Sequence, residues 1–222
     1  MQYLYHKEAG SSSLILRGDE HRYIFKVRRH REGERIALRN LRDDDLYFYH
    51  IDALDKKEAH LLLERQETLL IQAKRPLHLG WCVIDPKSVE KILPTLNELG
   101  VDRISFIYCQ RSQKSFKLDF KRLEKILLNS SQQCGRSRLM RLEMMDSLEA
   151  FVRQYPKAVM LNFSQTSLQE QADISTVVVG CEGGFTPDEM THFSPTQIMG
   201  LATPLILKSE SAVCAVASKL LV

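Results

Sequence analysis

The pattern of hydrophobic positions changes near residue 70. Before that point, short apolar runs rich in strand-forming residues alternate with turn formers such as Gly18-Asp19 and Glu32-Gly33. Strands are expected at 13–16, 35–38, 46–51 and 60–63, with one short helix over 20–29 and a connection over 65–76. Short strands at this spacing predict a small β-barrel domain across residues 1–70.

From residue 77 onward, apolar runs and helical patterns alternate. Strands are expected at 77–84, 104–109, 139–144, 158–163, 176–180 and 205–207, and helices at 86–99, 118–134 and 210–221. Asp85 and Pro86 fit the start of the first of these helices, and Gly100 fits its end. Residues 71–222 are therefore predicted to form an α/β domain, whose mostly parallel sheet carries helices on both faces.

Composition limits the class of protein. The chain has 222 residues, of which 44% are hydrophobic and 27% charged, as expected for a folded protein of one or two domains. None of the five cysteines forms a CxxC pair, so no metal site or disulfide framework is indicated. No apolar stretch approaches 18 residues and the N-terminus lacks an apolar signal region, so a cytoplasmic protein without a membrane segment is expected.

Charge is distributed unevenly along the chain. The net charge of +3 identifies no partner, but residues 17–42 hold nine Lys or Arg against four acids, and residues 103–141 hold ten against two. Residues 142–198 reverse the balance, with two against eight. This segregation is typical of a basic footprint for a polyanion such as RNA. It also fits solvated helix faces whose sum is asymmetric by chance, and the sequence leaves both interpretations open.

Two loops that follow predicted strands carry the candidate chemistry, because open α/β sheets bind ligands beyond the carboxyl ends of their strands. Residues 180–185, Gly-Cys-Glu-Gly-Gly-Phe, bring the main chain within reach of a ligand, and Thr186 with Glu189 forms a capping-box pattern. Residues 200–212 lead into a helix that opens with Ser209 and Glu210. An ordinary tight turn, a helix cap and a charge that complements the helix dipole are the structural alternatives. Neither loop is a Walker or GxGxxG motif.

Both loops resemble motifs of one enzyme family. Residues 180–185 resemble the GPEGG(F/L) motif of the 16S ribosomal RNA uridine-N3 methyltransferases (the RsmE family), and residues 205–212, Leu-Ile-Leu-Lys-Ser-Glu-Ser-Ala, resemble its RILRxETA motif. Weaker matches occur in the family's order at 18–33, 97–101, 109–112 and 132–136. The resemblance spans nearly the whole chain.

Five positions depart from the family pattern. Cys181 stands in place of proline, Leu205 and Lys208 in place of two arginines, Ser211 in place of threonine, and Thr203 where the family usually has glycine. Lys208 keeps a positive charge but lacks the planar fork of arginine, so it offers no bidentate contact of the arginine type.

The resemblance implies a SPOUT-type fold, with a trefoil knot in the C-terminal domain and a PUA-like RNA-binding barrel at the N-terminus. It further implies that S-adenosylmethionine, without a metal, donates a methyl group to N3 of a uridine in 16S ribosomal RNA of the 30S subunit, and that the enzyme is a homodimer. The implied cofactor contacts are Leu161, Asn162, Phe163, Gly180, Cys181, Glu182, Gly183, Gly184, Gly200, Leu201, Leu205, Ile206, Leu207, Ser209, Glu210 and Ala212.

Catalytic and RNA-binding candidates follow from the matched positions. Arg111 and Arg136 are candidates for holding uracil or a neighbouring phosphate, and Glu210 for orienting the site or accepting a proton. Candidate RNA contacts in the N-terminal domain are Arg22, Lys26, Arg28 and Arg29. Two alternatives remain: a knotted methyltransferase that acts on another RNA position, such as a ribose 2′-oxygen of transfer RNA, and a non-catalytic RNA-binding or ribosome-assembly protein.

Overall fold

The computed structural model describes residues 2–168 and 173–222, and the chain separates into two compact units. The N-terminal unit comprises Met1–Gln72 and Ser131–Leu139, and the C-terminal unit comprises Ala73–Ser130 and Met140–Val222. Residues 131–139 join the N-terminal unit through hydrogen bonds such as that from the Tyr3 backbone N–H to the Gln132 carbonyl, at 3.1 Å. No helix in the described part of the chain is long and apolar enough to cross a membrane.

The N-terminal unit is built on one five-stranded sheet. Its strands are β1 (Leu4–Tyr5), β2 (Ser13–Arg17), β3 (Arg35–Arg39), β4 (Asp45–Leu54) and β5 (Glu58–Thr68). They are hydrogen-bonded in the order β1-β3-β4-β5-β2, with β1 parallel to β3 and the other pairs antiparallel. The predicted barrel is thus a curled half-barrel whose edges are β1 and β2.

Local sequence explains this sheet. In β2, Leu14 and Leu16 point into the core while their neighbours face solvent, which is the alternation of a half-buried strand. Shifts of register after Phe48 and Ile51 mark bulges, which bend β4. The predicted helix over 20–29 consists of α1 (Gly18–Arg22) followed by a π-helical turn, Tyr23–Val27.

The C-terminal unit contains a six-stranded, fully parallel sheet. Its strands are β6 (His78–Cys82), β7 (Arg103–Ile107), β8 (Arg141–Met145), β9 (Val159–Leu161), β10 (Thr176–Val179) and β11 (Ile198–Met199), in the order β11-β9-β10-β6-β7-β8. Its helices are α2 (Pro86–Leu99), α3 (Phe120–Cys134, whose last turn belongs to the N-terminal unit), α4 (Leu148–Gln154), α5 (Pro187–Met190) and α6 (Ser209–Leu221). Every residue of β6 is buried, as expected for a central strand of a parallel sheet.

Helix ends agree with the expected signals. The Asp85 side chain accepts a hydrogen bond from the Ser88 N–H at the start of α2, and Gly100 ends that helix with a φ of 97°. Thr186 and Glu189 form the capping box at the start of α5. These local predictions are confirmed.

The strand expected at 205–207 is wrong. These residues form no strand and lead into α6 as an exposed loop, with Leu205 71% and Ile206 82% accessible. The apolar run predicts a strand, but no strand within residues 2–168 and 173–222 pairs with it. Its hydrophobicity therefore needs an explanation outside the core.

Candidate cofactor site

Three loops meet at the carboxyl end of the parallel sheet. Strands β11, β9 and β10 are adjacent and parallel, so the loops that follow them emerge side by side. Together they enclose a cavity of about 480 Å³, a size typical of small-molecule sites. The lining comprises Leu161, Asn162, Phe163, Ser164, Val179, Gly180, Cys181, Glu182, Gly184, Phe185, Gly200, Leu201, Thr203, Leu205, Ile206, Leu207, Lys208, Ser209 and Ala212.

Fourteen of the sixteen residues expected at the cofactor line this cavity; Gly183 and Glu210 do not. A Cβ on Gly183 would meet the side chain of Arg111, at 3.1 Å from its Cβ. Glu210 lies half-buried in the first turn of α6, where a carboxylate complements the helix dipole. The lining also includes Ser164, Val179, Phe185, Thr203 and Lys208, which the motif comparison did not select.

A buried hydrogen-bond relay joins two of the loops. The indole Nε1 of Trp81, which is fully buried in β6, donates to Ser209 Oγ at 2.9 Å. Ser209 Oγ in turn donates to the Gly180 carbonyl at 2.5 Å. Ser209 is therefore not an N-cap but the link that fixes the start of α6 against the glycine loop.

Gly200 allows the closest approach of main chains in the site. A Cβ at this position would lie 2.7 Å from the Ser164 carbonyl oxygen and 3.2 Å from the Ser164 nitrogen. The backbone N–H of Gly200 donates to the Thr166 carbonyl at 2.8 Å. Because both neighbours are backbone atoms, they cannot move aside as a flexible side chain would, and only glycine fits.

The glycine loop is braced by the loop that follows β7. The Nη1 group of Arg111 donates to the Gly183 carbonyl at 2.7 Å. The buried carboxylate of Glu189 accepts the N–H of Gln110 at 2.7 Å and that of Thr186 at 2.9 Å. The sequence predicted the capping-box bond to Thr186 but gave no signal for the bond to Gln110, which comes from a distant part of the chain.

Comparisons with known proteins agree with this geometry. Residues 72–221 match the family model of an RNA methyltransferase domain, and residues 16–64 match that of an RNA methyltransferase PUA domain. Two proteins named ribosomal RNA small subunit methyltransferase E, from Helicobacter pylori strains 26695 and J99, are 39% and 40% identical, over 98% of both chains. This chain belongs to the small-subunit methyltransferase E family. The family inferred from the motifs is confirmed.

Solved structures in complex with S-adenosylmethionine share the fold. A methyltransferase from Legionella pneumophila has a TM-score of 0.80 at 22% identity, covering 98% of this chain and 94% of its own. A ribosomal RNA small subunit methyltransferase E from Neisseria gonorrhoeae has a TM-score of 0.79 at 19% identity, with coverage of 98% and 96%.

Cys181, where the family motif has proline, forms part of the cavity wall. Its Sγ lies 3.5 Å from that of Cys109, which follows β7. Hydrogen bonding to Cys109 and burial raise the pKa of the Cys181 thiol, so this side chain is uncharged near neutral pH. The proline is thus replaced by a small neutral side chain that packs against the adjoining loop.

The other predicted residues are distributed over both units. Arg111 is exposed beside the glycine loop. Arg136 belongs to the N-terminal unit, where it is buried and its Nε donates to the Arg138 carbonyl at 2.9 Å. The RNA candidates all have exposed side chains in the N-terminal unit: Arg22, Lys26, Arg28 and Arg29.

Proposed function

We propose that this chain transfers the methyl group of S-adenosylmethionine to N3 of a uridine in 16S ribosomal RNA of the small ribosomal subunit, in the cytoplasm. The observation that carries the proposal is the cavity formed by three loops, two of which carry the family motifs. Membership of the small-subunit methyltransferase E family supports the reaction and the substrate.

The cavity fits the proposed cofactor. Its lining is mostly main chain and apolar side chains, with Glu182 and Lys208 as its charged residues, as is usual for small-molecule sites. The backbone of Leu205, Ile206 and Leu207 would contact adenine, and the glycine loop would approach the methionine moiety. When bound, S-adenosylmethionine supplies a methyl group on a reactive sulfonium, so positioning is the main contribution required of the protein.

Arg111 is our candidate for stabilising the negative charge that develops on the uracil ring. N3 of uracil must lose a proton during methylation, and a nearby cation stabilises the negative charge that develops. The Nη1 group of Arg111 donates to the Gly183 carbonyl. The guanidinium has further N–H groups, which would donate to a uracil or a phosphate. Arg136, buried and bonded to its own segment, would instead support the N-terminal unit.

Assembly with RNA and with a second copy completes the proposal. Phosphates of the RNA would contact the exposed cations of the N-terminal unit, which are Arg22, Lys26, Arg28 and Arg29.

Large apolar side chains are exposed at the cavity, with Phe163 79% and Ile206 82% accessible. We attribute this exposure to a homodimer interface formed around the proposed knot, since exposed apolar side chains that lie together often mark a protein–protein interface. Sedimentation of an Ile206→Asp variant should then show monomers.

Methyl transfer from labelled cofactor to 30S particles, free 16S RNA and transfer RNA tests the proposal. The expected product after nuclease digestion is 3-methyluridine, formed only from the ribosomal substrates. A product methylated on a ribose 2′-oxygen, or formed on transfer RNA, would instead support a different knotted methyltransferase. Cofactor binding without transfer to any RNA would support a non-catalytic protein.

A matched pair of variants examines the role of Arg111. Arg111→Ala should lower kcat about 100-fold, in the range of losing one group that stabilises developing charge. Lys114→Ala removes the same charge from an exposed position three residues later and should leave kcat within about twofold. Equal effects of the two changes would contradict the assignment.

A further inference from the structure

The N-terminal unit contains a second concavity, of about 500 Å³, distinct from the cofactor cavity. We call it the arginine pocket and define it by its lining residues, Gln2, Tyr3, Leu4, Tyr23, Ile24, Arg28, His30, Arg35, Ile36, Ala37, Phe48 and Arg65. Three arginines, one histidine and three aromatic rings converge there. Carboxylates outside the lining contact three of the four: Glu34 contacts His30, Glu64 contacts Arg35 and Glu67 contacts Arg65. Its composition suits a ligand that is both anionic and planar.

Arg28 supplies an uncompensated positive charge. Its Nε and Nη2 donate to the Tyr23 hydroxyl at 3.1 and 2.9 Å, and its Nη1 donates to the Gln2 side-chain oxygen. These acceptors are neutral, and none of the ion pairs found within residues 2–168 and 173–222 involves Arg28. By contrast, Arg35 pairs with Glu64 at 2.6 Å. Arg28 is thus held in place with its charge available to an anion such as phosphate.

Arg65 supplies a planar surface. Its guanidinium carbon lies 3.7 Å from the centre of the Phe48 ring, which is stacking contact. The Arg65 side chain is 56% exposed, and its Nη1 pairs with Glu67 at 2.6 Å. This bond engages the edge of the guanidinium and not its faces, since the N–H groups lie in its plane. Unstacked RNA bases commonly stack on guanidinium planes and aromatic rings.

We propose that the arginine pocket binds one unstacked nucleotide of single-stranded RNA, with its phosphate on Arg28 and its base stacked on Arg65. The inference rests on the proposed function only in that RNA is the substrate. Surface arginines alone would hold any polyanion, but an uncompensated cation beside an open stacking plane selects a nucleotide. The pocket would therefore fix the position of one nucleotide outside the methylated one.

The experiment compares two fluorescently labelled strands, a ten-nucleotide single-stranded RNA of mixed sequence and a strand of equal length that lacks bases. Arg28→Ala should weaken binding of both strands at least about fivefold and lower the salt dependence by about one phosphate contact. Arg65→Lys keeps the charge but removes the plane, so it should weaken the normal strand about fivefold and leave the base-free strand within about twofold.

Controls separate this pocket from general electrostatics. Arg42 is exposed in the same unit but outside the pocket, so Arg42→Ala and Arg42→Lys should leave both affinities within about twofold. Losses in the Arg42 variants equal to those in the pocket variants would overturn the proposal, as would an equal effect of Arg65→Lys on the two strands. Free uridine 5′-monophosphate competing at micromolar concentration would also overturn it, in favour of a small-molecule site.

Cofactor binding, measured by calorimetry on the same proteins, keeps the two hypotheses apart. Arg28→Ala and Arg65→Lys should bind S-adenosylmethionine as the wild type does. A wild type that binds cofactor but shows no pocket-dependent RNA affinity contradicts the arginine pocket alone. A wild type that binds RNA through the pocket but does not bind cofactor contradicts the proposed function alone.

Discussion

Two concavities of similar size, about 480 Å³ in the C-terminal unit and about 500 Å³ in the N-terminal unit, are built from different parts of the chain. The cofactor cavity is shaped by main chain, with Gly180 and Gly200 held by hydrogen bonds to neighbouring loops. The arginine pocket is shaped by long side chains such as Arg28 and Arg65. Close-packed main chain suits a small ligand of invariant shape, whereas side chains that offer a charge and a stacking plane suit one unit of a polymer.

The largest effect on the cofactor cavity is expected from one added methyl group at Gly200. Gly200→Ala places Cβ 2.7 Å from the Ser164 carbonyl oxygen, so two loops of the cavity must separate. Overpacking against main chain should lower the free energy of unfolding by about 3 kcal/mol. We expect calorimetry to show cofactor affinity reduced at least about 100-fold, since the loops that form the cavity are displaced.

Gly183→Ala is the matched control. Its Cβ would meet Arg111, an exposed side chain that can rotate away, and Gly183 does not line the cavity. We expect a loss of unfolding free energy below about 1 kcal/mol. If Gly183→Ala abolished cofactor binding while Gly200→Ala did not, the cavity would be misassigned.

Removing the buried relay should have the next largest effect. Ser209→Ala leaves the buried Trp81 indole N–H and the Gly180 carbonyl without their partner. Leaving buried polar groups unsatisfied costs about 1–3 kcal/mol, which chemical denaturation would measure, and cofactor affinity should fall as the glycine loop loosens. Ser211→Ala, an exposed change two residues along the same helix, should alter stability by less than about 0.5 kcal/mol. Equal effects of the two alanines would contradict the relay.

The contrast between local and non-local interactions explains what the sequence could predict. Asp85, Gly100 and the Thr186 capping box act within a few residues, so helix ends and the glycine loop were predictable. Motif resemblance then selected most of the cavity lining.

Long-range packing was not predictable in this way. The adjacency of β11, β9 and β10 depends on strand order, which no short window encodes. The same holds for the stacking of Arg65 on Phe48, for the grouping of residues 131–139 with the N-terminal strands, and for the direction in which Gly183 faces. The sequence predicts a strand at residues 205–207, where the structure has an exposed loop, because hydrophobicity alone does not distinguish the two.

Acid should weaken the unit that carries the cofactor cavity, through one buried histidine at the start of β6. Burial, aided by the Arg103 guanidinium, lowers the pKa of His78 from 6.5 to about 4. Between these values the unfolded chain binds a proton that the folded chain does not, so stability is full above pH 6.5 and is lost as pH falls towards 4. We expect this residue to contribute about 1–2 kcal/mol to the loss of unfolding free energy between pH 7 and 5.

His78→Gln should flatten that part of the pH profile, measured by urea denaturation at each pH. His192→Gln, which changes an exposed histidine of the same unit, should leave the profile as in the wild type. A profile that is equally steep in all three proteins would show that carboxylates, not His78, account for the acid sensitivity.

The smallest expected effect on stability is at the arginine pocket. Arg28 is exposed and donates only to neutral side chains, so Arg28→Ala should change the free energy of unfolding by less than about 0.5 kcal/mol. Arg39 gives the contrast within the same unit, because its buried guanidinium donates to the carbonyls of Asp44 and Leu69. Arg39→Ala leaves those carbonyls unsatisfied and should cost about 2–3 kcal/mol. If denaturation showed Arg28→Ala to be as destabilising as Arg39→Ala, Arg28 would be a structural residue of the unit. The distinction between a cavity shaped by main chain and a pocket shaped by side chains free to bind a ligand would then fail at this residue.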